Sequence, residues 1–405
     1  ALSLAVFVGL IYVSHHFFIP NFFPDETGAY QPITPNEYYD ESLFYAPKAA
    51  AIFWGRETGG GFSTAERVGG PSIAAPLNPL ILGIFMKLTG SVKSGLIVSD
   101  FILPVAIFLL LYLLAFEIIS SPLSSVIFAL IFSLAPKLAI ALPPTNLSAL
   151  KEIWAAIAPF SRPPMLHFSE FDEPKITFVF MALFVYLLAR ALSRGGRANT
   201  ICAGAAFGAL FYTYPYDLAT AAVVLVLMGV IFLAQRHPYL ARRVTLIFGI
   251  GAAISIFYWL NWLELSKIAP DVISRLGGET GRFFRWETVW KHYLRIVFLI
   301  PLLWYALRKI NNKARVFLAA YLLSFVIAVN IQVITGFNAQ PDHWYRAQFL
   351  PVALAIFLII YNVSLRLRSE NKFIAAGFLI WFLGANFYAQ YLYSAKDARA
   401  FYISC

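Results

Sequence analysis

Residues 96–119 read LIVSDFILPVAIFLLLYLLAFEII, an apolar run broken only by Ser99, Asp100, Pro104 and Glu117. A helix needs roughly 20 such residues to cross ~30 Å of hydrocarbon, so this stretch reads as a transmembrane helix. Applied outward along the chain, the same criterion gives about eleven spans: 2–19, 96–119, 126–142, 176–192, 201–214, 218–234, 244–262, 293–307, 316–334, 347–365 and 373–391. The expected fold is an all-α integral membrane protein of about 11 transmembrane helices. Composition agrees. Of 405 residues 60% are hydrophobic and only 13% charged, about half the soluble norm of about 25%. With 38 Phe, 21 Tyr, 9 Trp and a mean hydropathy of +0.71, a soluble globule, a disordered chain, a coiled coil and a collagen are all excluded. Cys202 and Cys405 form neither a disulfide framework nor a metal spacing. The run 2–19 lacks an Ala-x-Ala exit and holds His15 and His16, so it is expected to be a retained anchor with both histidines at the interface.

Net charge is +10, from 31 Lys+Arg against 21 Asp+Glu. The positions of the cations point to a membrane and not to nucleic acid. Arg190, Arg194 and Arg197, then Arg236, Arg242 and Arg243, then Arg308, Lys309, Lys313 and Arg315, then Arg366, Arg368 and Lys372 fall in short connections between spans. The positive-inside rule assigns these to the cytoplasm, which puts the N-terminus inside and the C-terminus outside. The long connections 20–75, 143–175, 263–292 and 335–346 then lie outside, and every acid except Glu117 and Glu370 lies there or at a span end facing it. Loops beyond ~12 to 15 residues are uncommon unless functional or disordered, and the Trp, Tyr and Phe in these argue for a folded surface.

The first long loop carries two Asp-Glu pairs, Asp25-Glu26 and Asp40-Glu41. If residues 41–53 are helical, Glu41, Tyr45 and Lys48 share a face at i, i+4 and i+7, with Asp40 at the N-terminal end and Pro47 as the strained position. Such an acid can equally be an ordinary helix cap. After the second pair comes Asp-Glu-x-x-x-Tyr-Ala-x-x-Ala (Asp40 to Ala49), then a Gly, then PLNPLILGIFMKLTG over 76–90, then the span 96–119. In this order the chain resembles the GT-C glycosyltransferases, polytopic enzymes that take sugars from polyprenyl-phosphate carriers. The resemblance covers about the first 120 residues. It implies a GT-C-like catalytic module over 1–262, variable helices over 263–405, and a lipid-linked sugar donor.

By that resemblance Asp40, with Glu41 beside it, is the catalytic base or the group that orients the acceptor, and Asp25 with Glu26 is the competing pair. Several branches of the family place an Arg near the motif and another at the start of the second span, where this chain has Leu43 and Ser99-Asp100. Related oligosaccharyltransferases hold a metal with an Asp/Glu-x-Asp set in a later loop. Glu170-x-Asp172 resembles it, and its oxygen ligands suit Mg²⁺ or Mn²⁺. Donor phosphate is expected at cations outside the membrane: Lys48 beside Tyr45, Arg282 and Arg285 with Lys291 and Arg295, and Gln340, His343 and Arg346 in the fourth loop. Anchoring to anionic lipid is the other reading of the third-loop cations, and an aromatic belt that of Trp344. Lys137 and Asp217 are expected to reach the interface by snorkelling. Acceptor recognition falls to the loops or to a membrane-protein partner. The rival readings are a transporter or flippase of a lipid-linked or anionic solute, and a non-catalytic GT-C-like subunit of a membrane complex.

Overall fold

The structure is a computed structural model that describes residues 1–25, 28–32, 46–56, 75–141, 147–161, 166–169, 175–268, 279–286, 290, 294–306, 308, 312–338, 344–364 and 372–404. Its longer helices are α1 (Leu2–Phe22), α2 (Ala46–Phe53), α3 (Leu77–Thr89), α4 (Val92–Ile119), α5 (Pro122–Leu134), α6 (Leu147–Ile157), α7 (Lys175–Arg194), α8 (Arg197–Leu210), α9 (Pro215–Ala234), α10 (Pro238–Ile254), α11 (Ile256–Ile268), α12 (Leu294–Ala306), α13 (Asn312–Ala328), α14 (Phe349–Ser364) and α15 (Lys372–Asp397). Strands β1 (Gly28–Tyr30) and β4 (Tyr402–Ser404) pair antiparallel, as do β2 (Glu279–Thr280) and β3 (Phe337–Asn338). Among the described residues the remaining regular structure is helical.

Every expected span contains a helix, but the expected number of spans does not hold. Among the described residues α1, α4, α7 and α9 are long and apolar enough to cross a membrane, and a fifth span arises if α10 and the start of α11, bent by 48°, count as one. The shortfall has a physical cause. Residues 126–142 give the 13-residue α5 and then a separate four-residue helix, Leu138–Ala141, past Pro136. Thirteen residues rise only ~20 Å. The 14 residues of α8 fall short in the same way. At the α10–α11 bend the Ser255 hydroxyl donates to the Ala252 carbonyl and accepts from Trp259 Nε1, a local bond that competes with the helix ladder.

The chain forms two compact units. The first comprises Ala1–Leu113, Ser121–Ala182 and Arg368–Cys405, so the first and last helices share it. Phe18 of α1 meets Phe387 and Tyr391 of α15 edge-on at 5.4 and 5.5 Å. The Tyr12 hydroxyl donates to the Ser133 carbonyl at 2.5 Å, satisfying a polar group that burial would otherwise penalise. The stretch 76–90 is helical as its sequence predicts, and Gly90 closes it at φ +75°, a left-handed cap that glycine adopts without strain. Helix α2 is described from Ala46 and contains Pro47, the position expected to be strained. Ala49, Leu82, Met86, Leu96, Leu103 and Ile176 bury one another, seating α2 and α3 on α4 and α7.

The second unit comprises Leu114–Ser120 and Leu183–Leu367. Here small residues bring α8 and α10 together: Gly204 faces Ile250, Gly208 faces Ile254 and Gly251 faces Phe207, each too close to admit a Cβ. This is the contact by which helices pack where solvent supplies no hydrophobic drive. Glu117 accepts from Arg194 at 3.0 Å and from the Ser193 hydroxyl, which ties down one of the two acids expected on the cytoplasmic side.

Candidate functional site

Four ionisable side chains that arrive on three different helices meet inside the first unit. On α1, Val8, Tyr12, His15 and Ile19 recur at helical spacing and all are buried. The neighbouring His16 is buried too. On α4, Leu96, Asp100, Leu103 and Ile107 form the buried stripe, so Asp100 points where an apolar residue is expected. Lys175 opens α7. A cation at a helix N-terminus opposes the macrodipole, which calls for an anionic partner. Only 2% of His15, 6% of His16, 5% of Asp100 and 1% of Lys175 is exposed. The interfacial position expected for the two histidines is therefore corrected.

Asp100 accepts on both oxygens. Lys175 Nζ donates to Oδ1, and His16 Nε2 lies 2.7 Å from Oδ2. A carboxylate flanked in this way has only acceptors to offer, so Nε2 of His16 carries the hydrogen. In the tautomer with that hydrogen alone, Nδ1 accepts from the Tyr30 hydroxyl, 2.5 Å away. Burial, the Asp100 carboxylate and Tyr402 together push the Tyr30 phenol well above its ordinary value, which keeps it a donor. Lys175 also reaches the Ser99 hydroxyl at 3.4 Å. The result is a chain of donors running from Tyr30 through His16 to Asp100, with Lys175 supplying the countercharge.

This network anchors the start of the first long loop. Tyr30 belongs to β1, which pairs with β4 in the register Gly28 to Ser404. Its ring stacks on Phe401 and carries the Lys93 ammonium 4.8 Å from its centroid. Gln31 N–H donates to the Phe401 carbonyl at 2.8 Å. From Ala46 the chain is held again, as α2 packs on α3 with Ile52 against Gly83. The described residues 28–32 and 46–56 are thus each held within the first unit.

The expected site residues divide as follows. Asp40, Glu41, Glu26, Tyr45, Glu170, Asp172, Gln340 and His343 lie outside the described residues, as does Lys291. Asp25 is partly exposed beyond α1, and its carbonyl accepts from the Gly28 N–H. Lys48 is buried on α2, so it is not an open surface cation. In the second unit, Arg282 donates Nη1 to the carbonyls of Val333 and Ile334 at 3.2 and 2.7 Å, the backbone N–H of Arg285 donates to Asn330, and Arg346 is partly buried. Trp344 is buried at 3% exposure, and its Nε1 donates to Asn338 at 2.8 Å, which corrects the belt reading. Lys137 is exposed as expected. Asp217 is 8% exposed in the first turn of α9 and so does not snorkel.

The chain matches no protein-family model and no curated protein in sequence.

Sequence reasoning missed Lys175 and Tyr30 and gave Asp100 no role. Two signals pointed to them. One is the acid on the buried stripe of α4. The other is the lone cation at the head of an apolar helix.

Proposed function

We propose that the protein is a membrane glycosyltransferase that moves a sugar from a polyprenyl-phosphate carrier to an acceptor at the membrane face from which the long loops emerge. The observation that supports this reading is that the described residues on both sides of the sequence carrying Asp40 and Glu41 are packed in the first unit: Gly28–Tyr30 pairs with Tyr402–Ser404, and α2 packs on α3. A catalytic loop needs fixed end points, because reacting groups must be held within tenths of an ångström of productive geometry. The order of first span, loop, amphipathic helix α3 and second span, which underlies the GT-C resemblance, supports the same reading.

In this mechanism Asp40 takes or orients the proton of an acceptor hydroxyl. The hydroxyl oxygen forms a bond to the anomeric carbon as the bond from that carbon to the phosphate oxygen breaks. Polyprenyl phosphate leaves with the electron pair, and the sugar inverts. Base assistance of this kind is worth roughly 10²- to 10⁴-fold; preorganised cations near the leaving phosphate supply charge stabilisation. By the resemblance, cations of the long loops would hold that phosphate. Mg²⁺ or Mn²⁺ at Glu170 and Asp172 belongs to the same proposal.

Transfer of labelled sugar from a polyprenyl-phosphate donor tests it. Asp40→Asn keeps the shape and capping ability of the side chain but removes its basicity, and should reduce transfer by about 10²-fold or more. Asp25→Asn, run beside it, should leave transfer near normal. Loss in Asp25→Asn alone moves the base to the first pair, and parental activity in both removes the mechanism. A transporter or flippase is the second reading, favoured by the ionisable groups inside the candidate spans, since such residues mark solute and proton paths.

A further inference from the structure

We propose that His15, His16 and Asp100 bind one divalent transition-metal ion of the zinc or ferrous class, at a site separate from Glu170 and Asp172 and independent of the sugar-transfer reading. One ring nitrogen of each histidine and a carboxylate oxygen of Asp100 lie within 4.8 Å of one another, and all three residues are buried. The two imidazoles stand side by side, with their centroids 3.9 Å apart. Burying a pair of polar rings in an apolar helix is costly unless the rings are used.

The donor set is chemically selective. Two imidazole nitrogens and one carboxylate oxygen match catalytic zinc sites with an open fourth position and the facial triad of ferrous enzymes. Mg²⁺ and Ca²⁺ prefer oxygen alone. Each ligand is also braced on its far side, as metal ligands require. Nδ1 of His15 donates to the Tyr12 carbonyl at 2.9 Å, which leaves Nε2 for the ion. Nδ1 of His16 faces the Tyr30 hydroxyl, and Oδ1 of Asp100 is taken by Lys175.

Binding replaces the hydrogen between His16 Nε2 and Asp100 Oδ2 with the ion. That hydrogen moves to Nδ1, where the Tyr30 oxygen can accept it, so the ring stays neutral and no proton is lost overall. Ligands at ~2.0 to 2.1 Å around a tetrahedral ion stand roughly 3.3 Å apart, so donors now up to 4.8 Å apart close on one another while His16 Nε2 and Asp100 Oδ2, at 2.7 Å, move slightly apart. Lys175 repels the ion while sharing its carboxylate and thereby tempers the affinity.

The test uses the full chain in detergent, with Cys202→Ser and Cys405→Ser to remove competing thiolates, stripped with chelator and titrated with Co²⁺. One Co²⁺ per chain is expected, with visible ligand-field bands that Zn²⁺ abolishes. His15→Gln and Asp100→Asn should each weaken uptake by more than the roughly 10- to 100-fold that an outer-shell partner is worth, while Glu170→Gln leaves it unchanged. If a variant does not fold, the parent titration still decides. No stoichiometric Co²⁺ uptake by the parent overturns the proposal, and so does undiminished uptake in a folded His15→Gln.

Discussion

At the scale of single residues, Asp100 and Lys175 are a buried ion pair whose energetics separate structure from function. Removing one partner leaves an uncompensated charge, so Lys175→Met alone should destabilise the protein by about 3 to 5 kcal/mol. Replacing both, as Asp100→Leu with Lys175→Met, is commonly neutral or stabilising, so the thermal midpoint should recover. Sugar transfer should not recover, because His16 then loses the acceptor that holds its ring toward Tyr30. A double variant that is stable and fully active would reduce the network to packing. None of this could be read from neighbouring residues. His16 and Asp100 stand 84 positions apart, and an ionisable residue near a span end carries the same local pattern whether it faces lipid headgroups or another helix. Only its place on the buried stripe distinguishes the two. The surroundings of the phosphate-binding candidates were hidden for a related reason: a sequence shows the charge of Lys48 or Arg282 but not that one is buried and the other bonded to backbone carbonyls.

At the scale of elements, the contact of α3 with α4 is set by glycine. A Cβ at Gly95 would lie 2.6 Å from the backbone nitrogen and Cα of Met86, which cannot yield without moving α3. Gly95→Ala should therefore cost about 1 to 3 kcal/mol. Gly384→Ala on α15 meets nothing within 4 Å and should be neutral or stabilise by about 0.4 to 1 kcal/mol. Equal thermal midpoints for the two variants would remove the packing argument. Helix α3 was legible in full, because a Pro-rich start and a terminal glycine are local signals. The lengths of the spans were less so. Apolar composition carries straight through Pro136 and Ser255, but the hydrogen-bond ladder does not, and helices that hydropathy joins are separate in space.

For the whole molecule, sidedness follows from where the cations lie. With Cys202 and Cys405 replaced, a cysteine at Ala198, exposed at the start of α8, should be shielded from an impermeant thiol reagent in intact cells, and one at Thr64 should react. The reverse labelling would place the long loops in the cytoplasm. The most direct test of the account follows the fate of the sugar. The purified chain is reconstituted in liposomes with labelled polyprenyl-phosphate sugars and an acceptor pool, and carrier, sugar and product are measured separately. The account predicts that the bond between sugar and phosphate is broken, that free polyprenyl phosphate accumulates with glycosylated acceptor, and that Asp40→Asn slows both by about 10²-fold or more. Carrier that crosses the bilayer with its sugar still attached, at a rate unchanged by Asp40→Asn, would contradict it.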